Sequence, residues 1–472
     1  MSNNKYKTLV SNTMLISFGT FGSKLLVFLM VRFYTGYLTP SDYGTADLIT
    51  QTANLLFPLI SLGVTNAVFR FALDSEYDKR DVFSTGLLTI TLGGLMFLAF
   101  GPILGFVEGF KGYVWLIIIY TMASCYHSLC AQFLRAIGKT AFFAVQGIIN
   151  TSLVIGLNIL FLAVFRIGIV GYVLSVALAD TITSLIIFIK EKLWRQIILK
   201  PSKNAVNKML RYGIPMIPAT IFWWITSVSD RYMVTAFINS SANGIYSVSY
   251  KLPTFLTLLS TVFMEAWQFS AVSESEGKRE EHIEFFSKVW GSFQSLMFMA
   301  GAFVIALCEP LIRVLTTKAY FEAWKYIPLL AASMVFSSFA SFMGSVYIVE
   351  RKSKNSFLTS MVGALLNIVL NAALIPTIGI QGAAIATFAS YFLVFIIRTV
   401  NARKYIPFNA NVIFVLVNTA IILVQVLFMV CRFKGYILVQ IVSILVIAII
   451  NFKHYMVFIK KILSFVFSKK GA

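Results

Sequence analysis

A helix needs about 20 consecutive apolar residues to cross the hydrocarbon of a bilayer, and this chain supplies such stretches from end to end. Fourteen can be marked in the 472 residues: Leu9–Tyr34, Gly44–Phe71, Phe83–Val107, Tyr113–Leu134, Phe142–Phe165, Gly168–Ile189, Tyr212–Phe237, Gly244–Val272, Phe285–Cys308, Trp324–Val349, Phe357–Pro376, Ile380–Val400, Asn411–Cys431 and Tyr436–Asn451. Inside lipid, helices and closed barrels alone satisfy their own backbone hydrogen bonds. Runs of this length therefore predict an all-α polytopic membrane protein of about 14 transmembrane helices. Charged residues make up 12% of the chain, against about 25% in soluble domains. That is too few to cover a water-facing surface, which excludes a soluble enzyme and a disordered chain.

The few charges sum to +20. A basic balance fits nucleic acid or the anionic inner face of a membrane, and placement decides between them. Of the 39 Lys and Arg, 28 fall at the termini and in the even-numbered connections, and 7 in the odd-numbered ones. Basic residues mark the cytoplasmic side, so both termini are expected in the cytoplasm and no nucleic-acid partner is needed. The first apolar run is too long for the core of a cleavable signal peptide. The tail Lys453–Lys470 mixes basic pairs with Tyr455, Phe458, Phe465 and Phe467. It reads either as an interfacial helix on anionic lipid or as a plain basic tail.

The chain also repeats itself. Arg32-Phe33 aligns with Arg231-Tyr232, Gly44 with Gly244, and Arg166-Ile167-Gly168-Ile169-Val170-Gly171 with Thr377-Ile378-Gly379-Ile380-Gln381-Gly382. Asn158 and Asn371 precede the last pair. Two copies of a six-helix unit follow, as lobes 1–200 and 201–404, with residues 405–472 as two extra helices and a basic tail. Six is even, so both copies enter from the same side and form a parallel pseudo-two-fold repeat. Paired bundles of this kind bind substrate at their interface and rock to alternate access. The basic segment Lys190–Arg211 is the linker between the lobes.

Apart from Arg70, Lys288, Lys325 and Arg398 near stretch ends, which count with the connections, eight charged residues lie within the apolar stretches: Lys24, Arg32, Asp47, Asp180, Asp230, Arg231, Lys251 and Glu265. Each costs about 2.5–3.5 kcal/mol at a helix centre, and seven of the eight fall on the first two spans of each half. Lys251 and Glu265 are fourteen residues apart, which places them about 40° apart around one helix and about 21 Å along it. The cations Lys24, Arg32, Arg231 and Lys251 are candidate substrate-binding residues, with snorkelling to the interface as the competing role. Asp47, Asp230 and Glu265 are candidates for ion coupling or charge balance. Asp180 and His127 read as helix-packing polar residues. Pro58, Pro215, Pro218 and Pro253 are positioned to kink their spans.

Catalytic chemistry finds no constellation. Gly138-Lys139-Thr140 imitates the end of a P-loop, but Phe133 stands where its first glycine is required. The three histidines are dispersed, and the four cysteines sit in or beside spans without metal-ligand spacing. The chain is therefore expected to be no enzyme, with neither cofactor nor metal.

Several segments resemble the polysaccharide (O-antigen type) flippases of the multidrug/oligosaccharidyl-lipid/polysaccharide exporter superfamily. They are Gly22-Ser23-Lys24, Arg32-Phe33-Tyr34, Leu38-Thr39-Pro40-Ser41-Asp42-Tyr43-Gly44 and Gly63-Val64-Thr65-Asn66 in the first half. In the second half they are Tyr212-Gly213-Ile214-Pro215, Ser229-Asp230-Arg231-Tyr232 and Gly244 through Leu252. The resemblance implies transfer of an undecaprenyl-diphosphate-linked oligosaccharide from the inner to the outer leaflet of a bacterial cytoplasmic membrane. It also implies a polysaccharide polymerase and glycosyltransferases as neighbours in the same assembly. Peptidoglycan lipid II flippases are near relatives, but their arginine-rich first span is matched only by Lys24. A multidrug antiporter of the superfamily would want an acidic and aromatic lining, which four intramembrane cations oppose.

Overall fold

The computed structural model describes residues 26, 28–74, 76–106, 110–274, 279–349 and 353–452. Every regular element among them is a helix. Backbone proximity divides the chain into two units, Met1–Val228 and Ser229–Ala472. The first holds α1 (Val31–Tyr37), α2 (Pro40–Ile60), α3 (Val64–Leu73), α4 (Lys79–Phe100), α5 (Val114–Ala136), α6 (Thr140–Asn158), α7 (Gly168–Lys190) and α8 (Lys203–Gly213). Helix α9 (Ile217–Phe237) carries the division within it. The second unit continues with α10 (Ser240–Ser249), α11 (Lys251–Glu274), α12 (Arg279–Leu315), α13 (Ile327–Val349), α14 (Ser353–Ile378), α15 (Ile380–Ala402), α16 (Val412–Cys431) and α17 (Tyr436–Ile450).

Thirteen of the fourteen apolar stretches coincide with described helix, and most of the first, Leu9–Tyr34, lies outside the described residues. Among the described residues nine helices are long and apolar enough to cross a membrane, and ten if the bent pair α2–α3 counts as one span. The protein is a multi-pass membrane protein, and its surface is correspondingly inverted. Leu95, Met96, Ile413, Leu416 and Leu445 are exposed, whereas Thr85, Thr183, Asn371 and Gln425 are wholly buried. Lipid accepts the first set at no cost, and neighbouring helices can supply hydrogen bonds to polar groups inside, as the Ala302 carbonyl does for Gln425.

The repeat is visible in local chemistry. The Thr39 hydroxyl caps α2 by accepting the Asp42 N–H, and the Asn239 side chain caps α10 by accepting the Ala242 N–H, 200 residues later. Such a cap contributes about 1 kcal/mol. Late in each half the glycine pairs recur at offset 211. Gly168 and Gly379 both take left-handed backbone (φ 54° and 65°) to start α7 and α15. Gly171 and Gly382 let those helices lie against the preceding span, where a Cβ would meet Phe161 Cβ at 2.8 Å or the Leu374 backbone at 2.6 Å. The two turns are one device used twice.

Pro58 lies in α2 just before a 54° bend, which is completed by Leu62 and Gly63 in left-handed conformation (φ 47° and 66°). Proline removes a donor near the helix end, and glycine allows the reversal. At the bend, Gly63 meets Gly213 at the end of the linker helix α8. A Cβ on Gly63 would lie 2.5 Å from the Gly213 carbonyl oxygen, and one on Gly213 would lie 2.7 Å from the Leu62 oxygen. Backbone cannot yield as a side chain can, so Gly213→Ala is expected to destabilise the protein by about 1–3 kcal/mol. Thermal unfolding in detergent measures it, and an unchanged midpoint would refute the contact. Pro215 and Pro218 fall in the short 3-10 turn and first turn of α9, and Pro253 sits in the first turn of α11, where proline is tolerated.

The linker is anchored to the first unit. The Ile198 N–H donates to the Ser84 hydroxyl, the Ser202 N–H to Asp81 and the Lys208 ammonium to the Tyr77 hydroxyl. In the second unit Phe286, Trp290, Phe293, Phe336, Phe339, Phe342 and Phe395 form one aromatic core among α12, α13 and α15. Helices α16 and α17 dock on α12 through a buried polar ladder. Asn451 donates to Asn418 and accepts from Ser295, Gln425 donates to the Ala302 carbonyl, and Gln440 donates to the Gln425 carbonyl. At the other end of the pair Arg432 bonds Glu309 at 2.6 Å and stacks 4.2 Å from the Trp324 ring centre.

Candidate functional site

In the second unit, Asp230 is a buried hydrogen-bonding hub. It sits on α9 and is 1% exposed. One carboxylate oxygen accepts the Tyr246 hydroxyl at 2.6 Å, the Tyr250 hydroxyl at 2.8 Å and the Thr387 hydroxyl at 3.3 Å. The other accepts the Arg231 backbone N–H at 2.9 Å. Four donors from α9, α10, its C-terminal junction and α15 thus converge on one buried anion, which is how a charge survives away from water. Next to it, the Ser229 hydroxyl donates to Asn367 on α14, and Asn371 donates to the same oxygen.

Arg231 follows Asp230 on the helix and is half-buried, with its guanidinium 5.1 Å from the Tyr250 ring centre. Tyr250 therefore acts twice: its hydroxyl holds the buried carboxylate and its face supports the cation, an attraction worth about 0.5–2 kcal/mol. Lys251 comes directly after Tyr250 as the half-buried first residue of α11. The structure thus brings Asp230, Arg231 and Lys251 into one region. Helix α11 runs unbroken past position 265, so Lys251 and Glu265 share one helix, as their spacing required.

In the first unit, Arg32 is exposed on the first turn of α1 and Asp47 is buried on α2. Lys24 lies outside the described residues, as does the Glu265 side chain and the tail Lys453–Lys470. Asp180 and His127 form a second polar centre, buried among α5, α6 and α7. Asp180 contacts His127 Nδ1 at 3.0 Å and accepts the Ser124 hydroxyl at 2.6 Å and the Asn150 amide at 2.9 Å, while His127 Nε2 pairs with Gln146 at 2.8 Å. Three helices are pinned by one carboxylate, which fits the packing role read from the sequence. Asp180→Ala is expected to lower stability by about 3–5 kcal/mol, the cost of leaving its partners buried and unpaired. Detergent unfolding of D180A against D180N checks this.

Sequence reasoning missed Tyr246, Tyr250, Thr387 and Asn367. The signal was present for the tyrosines: they are four residues apart on one helical face, in the segment that carries the family resemblance. It also counts Arg398 with the basic residues of the connection that follows Ile380–Val400. The structure buries it, with donations to Thr359, Ser360 and the Ala340 carbonyl. Among the described residues no group of His, Cys, Asp or Glu has the arrangement to hold a metal ion.

Comparison with known proteins adds to this geometry. The model of a family described as polysaccharide biosynthesis protein matches residues 9–268, more than half of the chain. A search of curated proteins finds no match. Among solved structures, the lipid II flippase MurJ in an inward closed conformation superposes with a TM-score of 0.71 at 15% identity, over 95% of this chain and 100% of that one. An inward-facing multidrug resistance MATE transporter of the MOP superfamily gives 0.66 at 14% identity, over 81% and 94%. A MOP superfamily transporter from Pyrococcus furiosus, described as having a binding pocket of reversed polarity, gives 0.58 at 16% identity, over 85% and 96%. At these identities the likeness establishes a shared fold.

Proposed function

The chain belongs to the polysaccharide biosynthesis protein family, and on that premise we propose that it is a flippase for polyprenyl-diphosphate-linked oligosaccharide. It moves this lipid from the inner to the outer leaflet of the bacterial cytoplasmic membrane by alternating access, for assembly of capsule, O-antigen or exopolysaccharide. Residues 1–200 and 201–404 serve as the moving lobes, 405–472 as the appendage, and both termini face the cytoplasm. A sugar headgroup and a diphosphate cannot cross hydrocarbon unaided, since each unpaired polar group costs several kcal/mol there. Lys24, Arg32, Arg231 and Lys251 bind the diphosphate through charge-assisted hydrogen bonds. Asp47, Asp230 and Glu265 balance those cations when no substrate is bound or take a coupling ion. Anionic lipids contact the basic loops and tail, and polymerase and glycosyltransferases take up and supply the substrate.

The observation that carries this reading is the Asp230–Arg231–Tyr250 arrangement. It sets a guanidinium on an aromatic support, next to a buried carboxylate held by two tyrosine hydroxyls. A diphosphate would add charge-assisted hydrogen bonds to such a guanidinium. Outward movement of one negative charge gains about 2.3 kcal/mol per 100 mV, inside negative, which supplies a driving force without nucleotide hydrolysis. The test is transfer of a polyprenyl-diphosphate tetrasaccharide across proteoliposome membranes holding the purified protein. Transfer well above that of empty vesicles is expected. Transfer of a cationic dye with none of the lipid would instead favour an antiporter.

A further inference from the structure

Helices α11 and α13 of the second unit line an open cavity of about 240 Å³, at which Thr257, Thr261 and Ser341 are exposed. Thr257, Ser260, Thr261 and Met264 line one wall, and Ser337, Ser338 and Ser341 the other. On α11 these residues follow the i, i+3, i+4, i+7 spacing of a single helical face. Six hydroxyls so concentrated within apolar helices call for an explanation.

Helix-to-helix adhesion would pair the hydroxyls across the gap, and they are not so paired. Thr261 donates to the Thr257 carbonyl, Ser338 to the Met334 carbonyl and Ser341 to the Ser337 carbonyl, all on their own helices. The bond recorded across the gap is from Thr257 to the Met334 sulfur, at 3.5 Å. A hydroxyl that donates backward keeps its lone pairs for an incoming donor. Ser260 goes further: it is 5% exposed, lines the cavity, and makes no hydrogen bond among the described residues.

The lining selects its ligand by chemistry. No charged side chain contributes to it among the described residues, so neither a phosphate nor a drug cation is matched. A lipid tail gains nothing from six hydroxyls. A neutral molecule rich in O–H donors and acceptors is matched at each one. We propose that this cavity is a subsite for a neutral sugar ring of the transported headgroup, an assignment that rests on the flippase reading above. Thr257 and Thr261 follow Lys251 by about 9 and 15 Å along the same helix and lie about 120° and 80° around it, with Ser260 about 180° around. A headgroup whose diphosphate is held at Lys251 would reach the cavity by extending along α11 and around it.

Two variants test this in proteoliposomes. T261V combined with S337A removes hydroxyls with little change of shape, and S260L fills the cavity. Both are compared with wild type on a polyprenyl diphosphate carrying one N-acetylhexosamine and on one carrying a neutral tetrasaccharide, after unfolding midpoints confirm folded protein. The expected result is a drop of about tenfold in the ratio of tetrasaccharide to monosaccharide transfer for both variants. If wild type transfers both lipids and the variants keep its ratio, the cavity assignment is overturned, whether or not absolute rates fall together. If wild type transfers neither lipid, the flippase reading itself has failed and the subsite with it.

Discussion

Replacing Asp230 with alanine is expected to destabilise the protein by about 3–5 kcal/mol and to abolish transport. The carboxylate accepts hydrogen bonds from Tyr246, Tyr250, Thr387 and the Arg231 backbone. Removing it leaves three hydroxyls and a backbone N–H without their acceptor in a buried site, and breaking a buried charged cluster costs on this scale. Smaller changes should grade the effect. D230N keeps one acceptor oxygen and loses the charge, so it should fall between alanine and wild type. Y246F removes a single charge-assisted bond, worth about 1.5–3 kcal/mol. T387V removes the longest bond and should cost under about 1 kcal/mol. The series is read by thermal unfolding in detergent, with transfer of diphosphate-linked sugar as the second readout. Equal midpoints for D230A and T387V would show that Asp230 is not the hub.

The second large effect is expected on transport and not on folding. Arg231→Ala should slow transfer of the diphosphate-linked lipid by about 10- to 150-fold, the equivalent of one charge-assisted hydrogen bond of about 1.5–3 kcal/mol. Arg231→Lys should recover part of this loss. It keeps the charge but gives up the planar guanidinium that lies on the Tyr250 ring and can grip a phosphate with two parallel bonds. Y250F separates the two duties of Tyr250, because it retains the ring beneath Arg231 and removes the hydroxyl from Asp230. Its loss should therefore appear mainly in stability. An R231A protein with wild-type transfer and normal expression would remove Arg231 from the substrate path.

The sequence was legible where physics acts locally. Twenty-residue apolar runs marked the helices because no other open structure satisfies a backbone in lipid. The segments around Gly168 and Gly379 marked equivalent turns, because left-handed backbone favours glycine, whereas the matching caps Thr39 and Asn239 emerged only in the structure. Pro58 pointed to the bend after α2, and Gly63, which completes it, did not stand out. The intramembrane charges Asp230, Arg231 and Lys251 stood out because their burial has a known cost. Their partners did not. Thr387 reaches Asp230 from 157 residues away, and no periodicity reports a tertiary contact of that range. Arg398 reads as a connection charge in the sequence because its acceptors are neutral: two hydroxyls and two carbonyls on other helices. The hydroxyl-lined cavity was hidden for the same reason, since serine and threonine within an apolar helix are ordinary until two such faces meet.

The most direct measurement is the distribution of lipid-linked oligosaccharide between the two leaflets in cells that lack the gene, carry it, or carry R231A. A flippase predicts accumulation on the cytoplasmic side in the deletion, clearance by the wild-type gene and failure of clearance by R231A at equal expression. An unchanged distribution in the deletion, together with new sensitivity to cationic drugs, would contradict it.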